Sequence, residues 1–190
     1  MSQRPAMMLI GSFTALISLG SLLLTLPVSL TDAAHTSFVD SLFTMASAVC
    51  VTGLAVNDMG ATYSLFGQGV ILTGVQLGGI GIMTVAALAL AFSNNSSLQS
   101  QLRYAAMLDA RTVADLRKIV VGILAGTFIV EAIGAFLLWL MLAGDPRLGD
   151  APALWTAVFH AVSSFCNAGF ALFPGAWARS SATSASRSSS

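Results

Sequence analysis

The sequence predicts an all-α integral membrane protein. Its plan is repeated units of membrane helix, short re-entrant helix and loop, and membrane helix, truncated within the second unit. Three observations predict it. First, 56% of the 190 residues are hydrophobic and 8% are charged, against about 25% charged in a soluble domain. Second, residues 6–30 and 59–102 carry no charge, and both runs exceed the roughly 20 residues that span hydrocarbon. Third, SLFTMASAVCVTGLAV at 41–56 and AVFHAVSSFCNAGFAL at 157–172 read as one short hairpin written twice. In that register Phe43 matches Phe159, Ser47 matches Ser163, Cys50 matches Cys166, Gly53 matches Gly169 and Ala55 matches Ala171. Each copy is too short to cross a bilayer as a helix. Repetition of such a half-membrane segment is a mark of pore and transporter architectures.

The elements follow in order. A first helix is expected over 7–30, with Pro27 near its outer end, where a missing N–H is tolerated. Its apolar run is longer than the roughly 7–15 residues of a signal-peptide core, so it is read as retained. A short amphipathic stretch at 36–49 leads into a loop at 50–58. A second long helix is expected over 63–92. Residues 93–118 are the most polar part of the chain, and a third long helix covers 119–142. After a turn containing Pro146, the second short stretch at 152–165 leads into a loop at 166–174. The chain thus divides into a first unit at 1–92, a connecting segment at 93–118, a partial second unit at 119–177 and a serine-rich tail at 178–190, expected to be disordered.

Charge sets the orientation. Segment 93–118 holds Arg103, Arg111, Arg117 and Lys118, whereas 31–60 holds no basic residue and three aspartates, Asp32, Asp40 and Asp58. The positive-inside rule puts the N-terminus and the 93–118 loop in the cytoplasm, with both hairpins entering from outside. Arg147, a single outer basic residue, does not reverse the bias. Tyr63, Trp155 and Trp177 fall at the outer boundary and suit an aromatic belt. The formal net charge is zero, which argues against a nucleic-acid partner. The two cysteines, Cys50 and Cys166, read as small packing residues rather than a disulfide framework. Gly74-x3-Gly78 and Gly122-x3-Gly126 are candidate seams for close helix approach.

The hairpins carry the chemistry. Non-helical backbone is tolerated at membrane depth only where protein or a water-filled path covers it, and there its carbonyls can replace the hydration shell of a cation. Such a loop needs a residue free to adopt unusual backbone angles, and Gly53 and Gly169 occupy matching places. Val51, Thr52, Asn167 and Ala168 precede them and offer carbonyls.

With SAVCVTGLAV, then GQGVILTGVQLGGIGIMT at 67–84, then SSFCNAGFALFP at 163–174, the chain resembles the Trk/Ktr/HKT-type potassium transporters, and within them a Ktr-like membrane subunit. The resemblance covers residues 7–177, the N-terminal portion of such a protein. It implies four helix–pore loop–helix units around one pore, with a filter made by one glycine-centred loop from each. Val51, Thr52 and Gly53 would line one quarter of a potassium filter through their backbone, and Asn167, Ala168 and Gly169 a second. In related plant transporters a serine at the first filter glycine goes with sodium preference, so Gly53 suggests potassium. The resemblance further implies a homodimer, and a cytoplasmic nucleotide-binding regulatory subunit contacting the 93–118 loop. It implies a plasma (inner) membrane location and no cofactor in this chain, K+ being the transported ion.

Other readings stand beside these. Gly53 and Gly169 also suit plain turns. Glu131, a buried charge site in mid-helix, reads as a protonated or interhelically hydrogen-bonded glutamate that fixes packing rather than as an ion ligand. His160 with Ser163 or Ser164 superficially suggests a nucleophile pair, but the sequence supplies no orienting acid or glycine elbow, so an enzyme is not expected. The run Gly79-Ile80-Gly81 lies within an apolar helix and not at a strand-to-helix turn. Asp32, Asp40 and Asp58 read as solvated loop carboxylates. Shifting the second helix by the repeat register predicts a fourth helix from about residue 179, where the apolar pattern stops. The tail is therefore expected to mark a truncated or frame-shifted copy of a longer protein. The alternative to a working transporter portion is a non-conducting fragment or assembly protein.

Overall fold

The structure, a computed structural model, describes the backbone of residues 4–31, 34–93, 112–144 and 152–173, and side chains within 10–31, 34–81, 121–144 and 152–173. The expectations for the tail, for Trp177, Asp32 and Arg147, and for most of 93–118 lie outside these residues. What is described is helical throughout, with no strand beyond one isolated bridge between Leu30 and Tyr63. The order is α1 (Arg4–Leu24), a 3-10 turn (Pro27–Ser29), α2 (Phe38–Val49), α3 (Met59–Thr62), α4 (Leu65–Ser93), α5 (Thr112–Leu142) and α6 (Ala153–Phe165). Within this set, Val121–Leu142 is long and apolar enough to cross a membrane by itself, and the described stretches Ile10–Leu24 and Leu65–Gly81 are shorter apolar helices.

Local chemistry accounts for the ends. The first helix stops at Leu24, six residues before the expected boundary. Pro27 forces its predecessor out of the helical region, and Leu26 takes φ −69° and ψ 142°. The freed segment docks on the start of α4: Ser64 N–H donates to Ser29 O at 3.0 Å, and Thr31 N–H to Thr62 O at 3.1 Å. Ser37 and Asp40 form a reciprocal capping box at the start of α2. Asp58 accepts from the amides of Gly60 and Ala61 and caps α3. Two of the three outer aspartates therefore hold helix ends. Helix α5 begins seven residues earlier than expected, at Thr112. Tyr63 is not a belt residue: it is completely buried, with its hydroxyl 3.5 Å from Thr44 Oγ1.

The short helix α2 lies against both α1 and α4, and glycines let it in. A side chain at Gly20 or Gly74 would run into Met45, and one at Gly78 would meet the Val49 carbonyl group, 2.8 Å from its carbon. Leu24, Met45, Val49, Tyr63, Ile71, Val75 and Phe159 form the centre of one buried cluster reaching from the first half into the second. The second short helix, α6, packs along α5, where Gly134 faces Ala161. The expected seam at Gly74-x3-Gly78 is thus a real contact. That at Gly122-x3-Gly126 is not: no described atom lies within 4 Å of a side chain placed at either glycine. Spacing alone does not say which face of a helix has a neighbour.

Two polar ties join the halves. Gln68 donates to Tyr63 O at 2.8 Å and accepts from Trp155 Nε1 at 2.7 Å, so Trp155 serves α4 rather than a lipid headgroup. Gln76 Nε2 donates to Glu131 Oε2 at 3.0 Å, linking α4 to α5. Glu131 is 6% exposed. Its Oε1 and Gln76 Oε1 find no partner among the described residues. The pair borders a largely apolar cavity of about 360 Å³ between α4, α5 and α6.

Gly78→Ala is expected to destabilise the protein by about 1–3 kcal/mol through overpacking. Gly122→Ala, with no described atom in reach of the new methyl group, is expected to be neutral or to stabilise by up to about 1 kcal/mol through helix propensity. Thermal unfolding of the two variants in one detergent checks the contrast. Gln76→Leu, which strands a buried carboxylate, is expected to lower stability by about 1–2 kcal/mol. Adding Glu131→Leu should recover part of that loss. Strict additivity in the double-mutant cycle would show that the two side chains do not act as a pair.

Candidate functional site

Each short helix ends in the same way. Cys50 N–H donates to Ala46 O, Val51 N–H to Ala48 O at 3.1 Å and Thr52 N–H to Ser47 O at 2.9 Å. In the second copy Cys166 N–H donates to Val162 O, Asn167 N–H to Ser164 O at 3.0 Å and Ala168 N–H to Ser163 O at 2.7 Å. All three bonds coincide in the register that aligns the sequences. The pattern is a Schellman reversal, which turns the chain back and satisfies the last carbonyls of the helix.

The reversal needs a left-handed residue just past the helix. Val51 (φ 56°) and Asn167 (φ 58°) take that place. Gly53 (φ 71°) and Gly169 (φ 74°) follow two residues later. Asparagine adopts this conformation readily, whereas a β-branched valine does so rarely. The intervening residues, Thr52 and Ala168, are not left-handed. The amides of Val51 and Thr52, and of Asn167 and Ala168, are drawn back onto the end of their own helix. No described backbone amide donates to a carbonyl of residues 51–53 or 167–169.

The two loops also touch. A Cβ on Gly53 would overlap the carbonyl oxygen of Ala168, and one on Gly169 would stand 3.8 Å from the Gly53 Cα. The six residues singled out from the sequence therefore lie in one place, the two glycines neighbouring across the junction of the halves. Glu131 lies elsewhere, on α5 against Gln76.

Side chains treat the two loops differently. In the first, Thr52 Oγ1 donates to Ser47 Oγ at 2.9 Å. In the second, Ser163 Oγ donates to Phe170 O at 2.8 Å and His160 Nε2 accepts from Leu172 N–H at 3.3 Å. The hydroxyl and the imidazole of the suspected nucleophile pair thus each engage backbone of the return limb. The cysteines differ as well. Cys166 is buried against Gly79, as expected of a packing residue, but Cys50 is exposed. The sequence reading missed the left-handed Val51 and Asn167 and the cross-half partners Gln68 and Gln76. Asn167 carried a signal, since asparagine favours this region; Val51 carried none.

With this geometry in hand, comparison with known proteins gives a consistent answer. The profile of the TrkH family, described as a cation transport protein, matches residues 2–178. The potassium/sodium uptake protein NtpJ of Enterococcus hirae is 36% identical over 169 residues, which cover 88% of this chain and 37% of NtpJ. The Ktr system potassium uptake protein B of Bacillus subtilis is 37% identical over 171 residues, covering 90% of this chain and 37% of its own length. The protein of the same name from Vibrio alginolyticus is 37% identical over 163 residues, covering 85% and 35% respectively. The chain therefore spans just over a third of the length of these relatives. With nearly its whole length matched to one profile and its repeated loops folded alike, the chain belongs to the TrkH family of membrane cation transport proteins.

Proposed function

We propose that this chain supplies two of the glycine-centred loops that line a potassium-uptake pathway, Val51–Thr52–Gly53 and Asn167–Ala168–Gly169 acting through their carbonyls. The observation that carries the proposal is the shared left-handed, not left-handed, left-handed backbone of the two triplets, packed glycine beside glycine. A row of carbonyls without backbone donors is the chemistry that replaces water around a monovalent cation. Such a cation entering a cell gains about 2.3 kcal/mol per 100 mV of inside-negative potential, which favours uptake. The segments at 1–92 and 119–177 build this part of the path. Phe38, Val39, Leu42 and Phe43 leave an apolar face of α2 exposed, which suits contact with further units of the same kind. The names of the relatives support potassium, with sodium as its competitor. In the complete assembly we place this protein in the plasma membrane as a homodimer, its N-terminus and 93–118 segment cytoplasmic and the latter docking a nucleotide-binding regulatory subunit. Glu131 acts as a structural charge held by Gln76.

The test is potassium uptake in cells that lack their own uptake systems. Supplied with the remaining units of a four-unit pore, the chain is expected to restore growth at low potassium. Gly53→Ser, which puts a side chain both on a left-handed backbone and into Ala168 O, carries about 1–3 kcal/mol of strain. It is expected to cut potassium uptake about tenfold and to raise the relative entry of sodium. Unchanged uptake and preference in Gly53→Ser would overturn the filter assignment. No growth even in the company of those units would instead support the non-conducting alternative.

A further inference from the structure

The two loops share a backbone but not a method of attachment. Beyond Gly53, the limb at 54–56 receives no side-chain hydrogen bond from the described residues, whereas the limb beyond Gly169 is held twice from α6. Ser163 brackets the glycine: its carbonyl accepts from Ala168 N–H at 2.7 Å and its hydroxyl donates to Phe170 O at 2.8 Å. One turn earlier on the same face, His160 reaches Leu172. Its Nδ1 lies 2.8 Å from Thr156 O. A carbonyl can only accept, so Nδ1 carries the proton and Nε2 keeps a lone pair for the Leu172 amide. The ring is also fixed by Phe159, edge-on at 6.0 Å, and by Phe173 at 4.6 Å. In the first copy the matching position is Thr44, which meets Tyr63 rather than its own loop.

The held limb has a second role. A side chain at Gly60 of α3 would overlap the Leu172 carbonyl. Fixing Leu172 therefore also fixes where the second loop meets the first half.

We propose that His160, in its Nδ1–H form, is a positioning residue that, with Ser163, sets the exit limb of the second loop and thereby the placement of the Gly169 carbonyl row. The inference rests on the reading of that row as part of the ion path.

The experiment uses the full chain in lipid nanodiscs. Nitrogen-15 NMR of the two histidines is expected to show one, His160, as the Nδ1–H tautomer with an unprotonated, hydrogen-bonded Nε2. An Nε2–H tautomer at His160 overturns the proposal, and that measurement needs no variant to fold. In amide hydrogen exchange, His160→Phe keeps a ring but removes the acceptor. It is expected to speed exchange at Leu172 about tenfold while leaving Thr52 in the first loop unchanged. His160→Gln, which can offer an oxygen near Nε2, is expected to restore most of the protection. Unchanged exchange at Leu172 in His160→Phe overturns the clamp and leaves the filter assignment intact. Potassium and sodium uptake by the same variants, measured with the complete pore, gives the other arm. A loosened limb with unaltered preference between the two ions would sink the proposal through its premise, by removing the Gly169 row from the ion path.

Discussion

The structure depends on a backbone bond that spans five residues. At the end of each short helix the chain must reverse within a few residues, in surroundings where an unpaired amide is costly. Thr52 N–H to Ser47 O and Ala168 N–H to Ser163 O achieve this reversal. They draw amides of the turn onto the last carbonyls of the helix, and no described backbone amide takes up the turn's own carbonyls. Everything proposed about ion binding follows from that division of donors and acceptors.

Reversal alone makes two separate loops; close packing makes them one site. The first short helix sinks between α1 and α4 because Gly20, Gly74 and Gly78 present no side chain to Met45 and Val49. Gly53 approaches Ala168 for the same reason. In lipid, helix association draws on such close van der Waals contact and on interhelical hydrogen bonds rather than on apolar burial from water. The Gln68–Trp155 and Gln76–Glu131 pairs supply the second kind of contact. Both cross from one half to the other, so they set the halves' relative position as well as their stability.

The likeness of the two copies is a likeness of backbone, and it survives considerable change in side chains. Thr52 faces Ala168 in the register and Thr44 faces His160, yet the turn bonds coincide. Ser47 and Ser163 keep the carbonyl role in common, while their hydroxyls serve different partners. Phe43 and Phe159 are the same residue in different settings, the first 43% exposed and the second completely buried. A duplicated element can keep its turn chemistry while its outer faces adapt to unlike neighbours.

The sequence by itself determined the membrane class, the apolar segments and the place of the two loops. Those properties are written in composition, in charge-free length and in a register that needs no third dimension. It also marked Gly53 and Gly169, because glycine at a matched turn is a local signal. Only the tertiary structure decided which faces meet. Gly74-x3-Gly78 has a partner and Gly122-x3-Gly126 has none nearby among the described residues, though the spacing is the same. Tyr63 and Trp155 proved to be core and cross-half ties rather than belt residues, and Val51 proved to be left-handed without a residue type that announces it. The physical reason is common to all of these. Periodicity and composition report what a segment tolerates, whereas contact and backbone strain depend on what the rest of the chain places beside it.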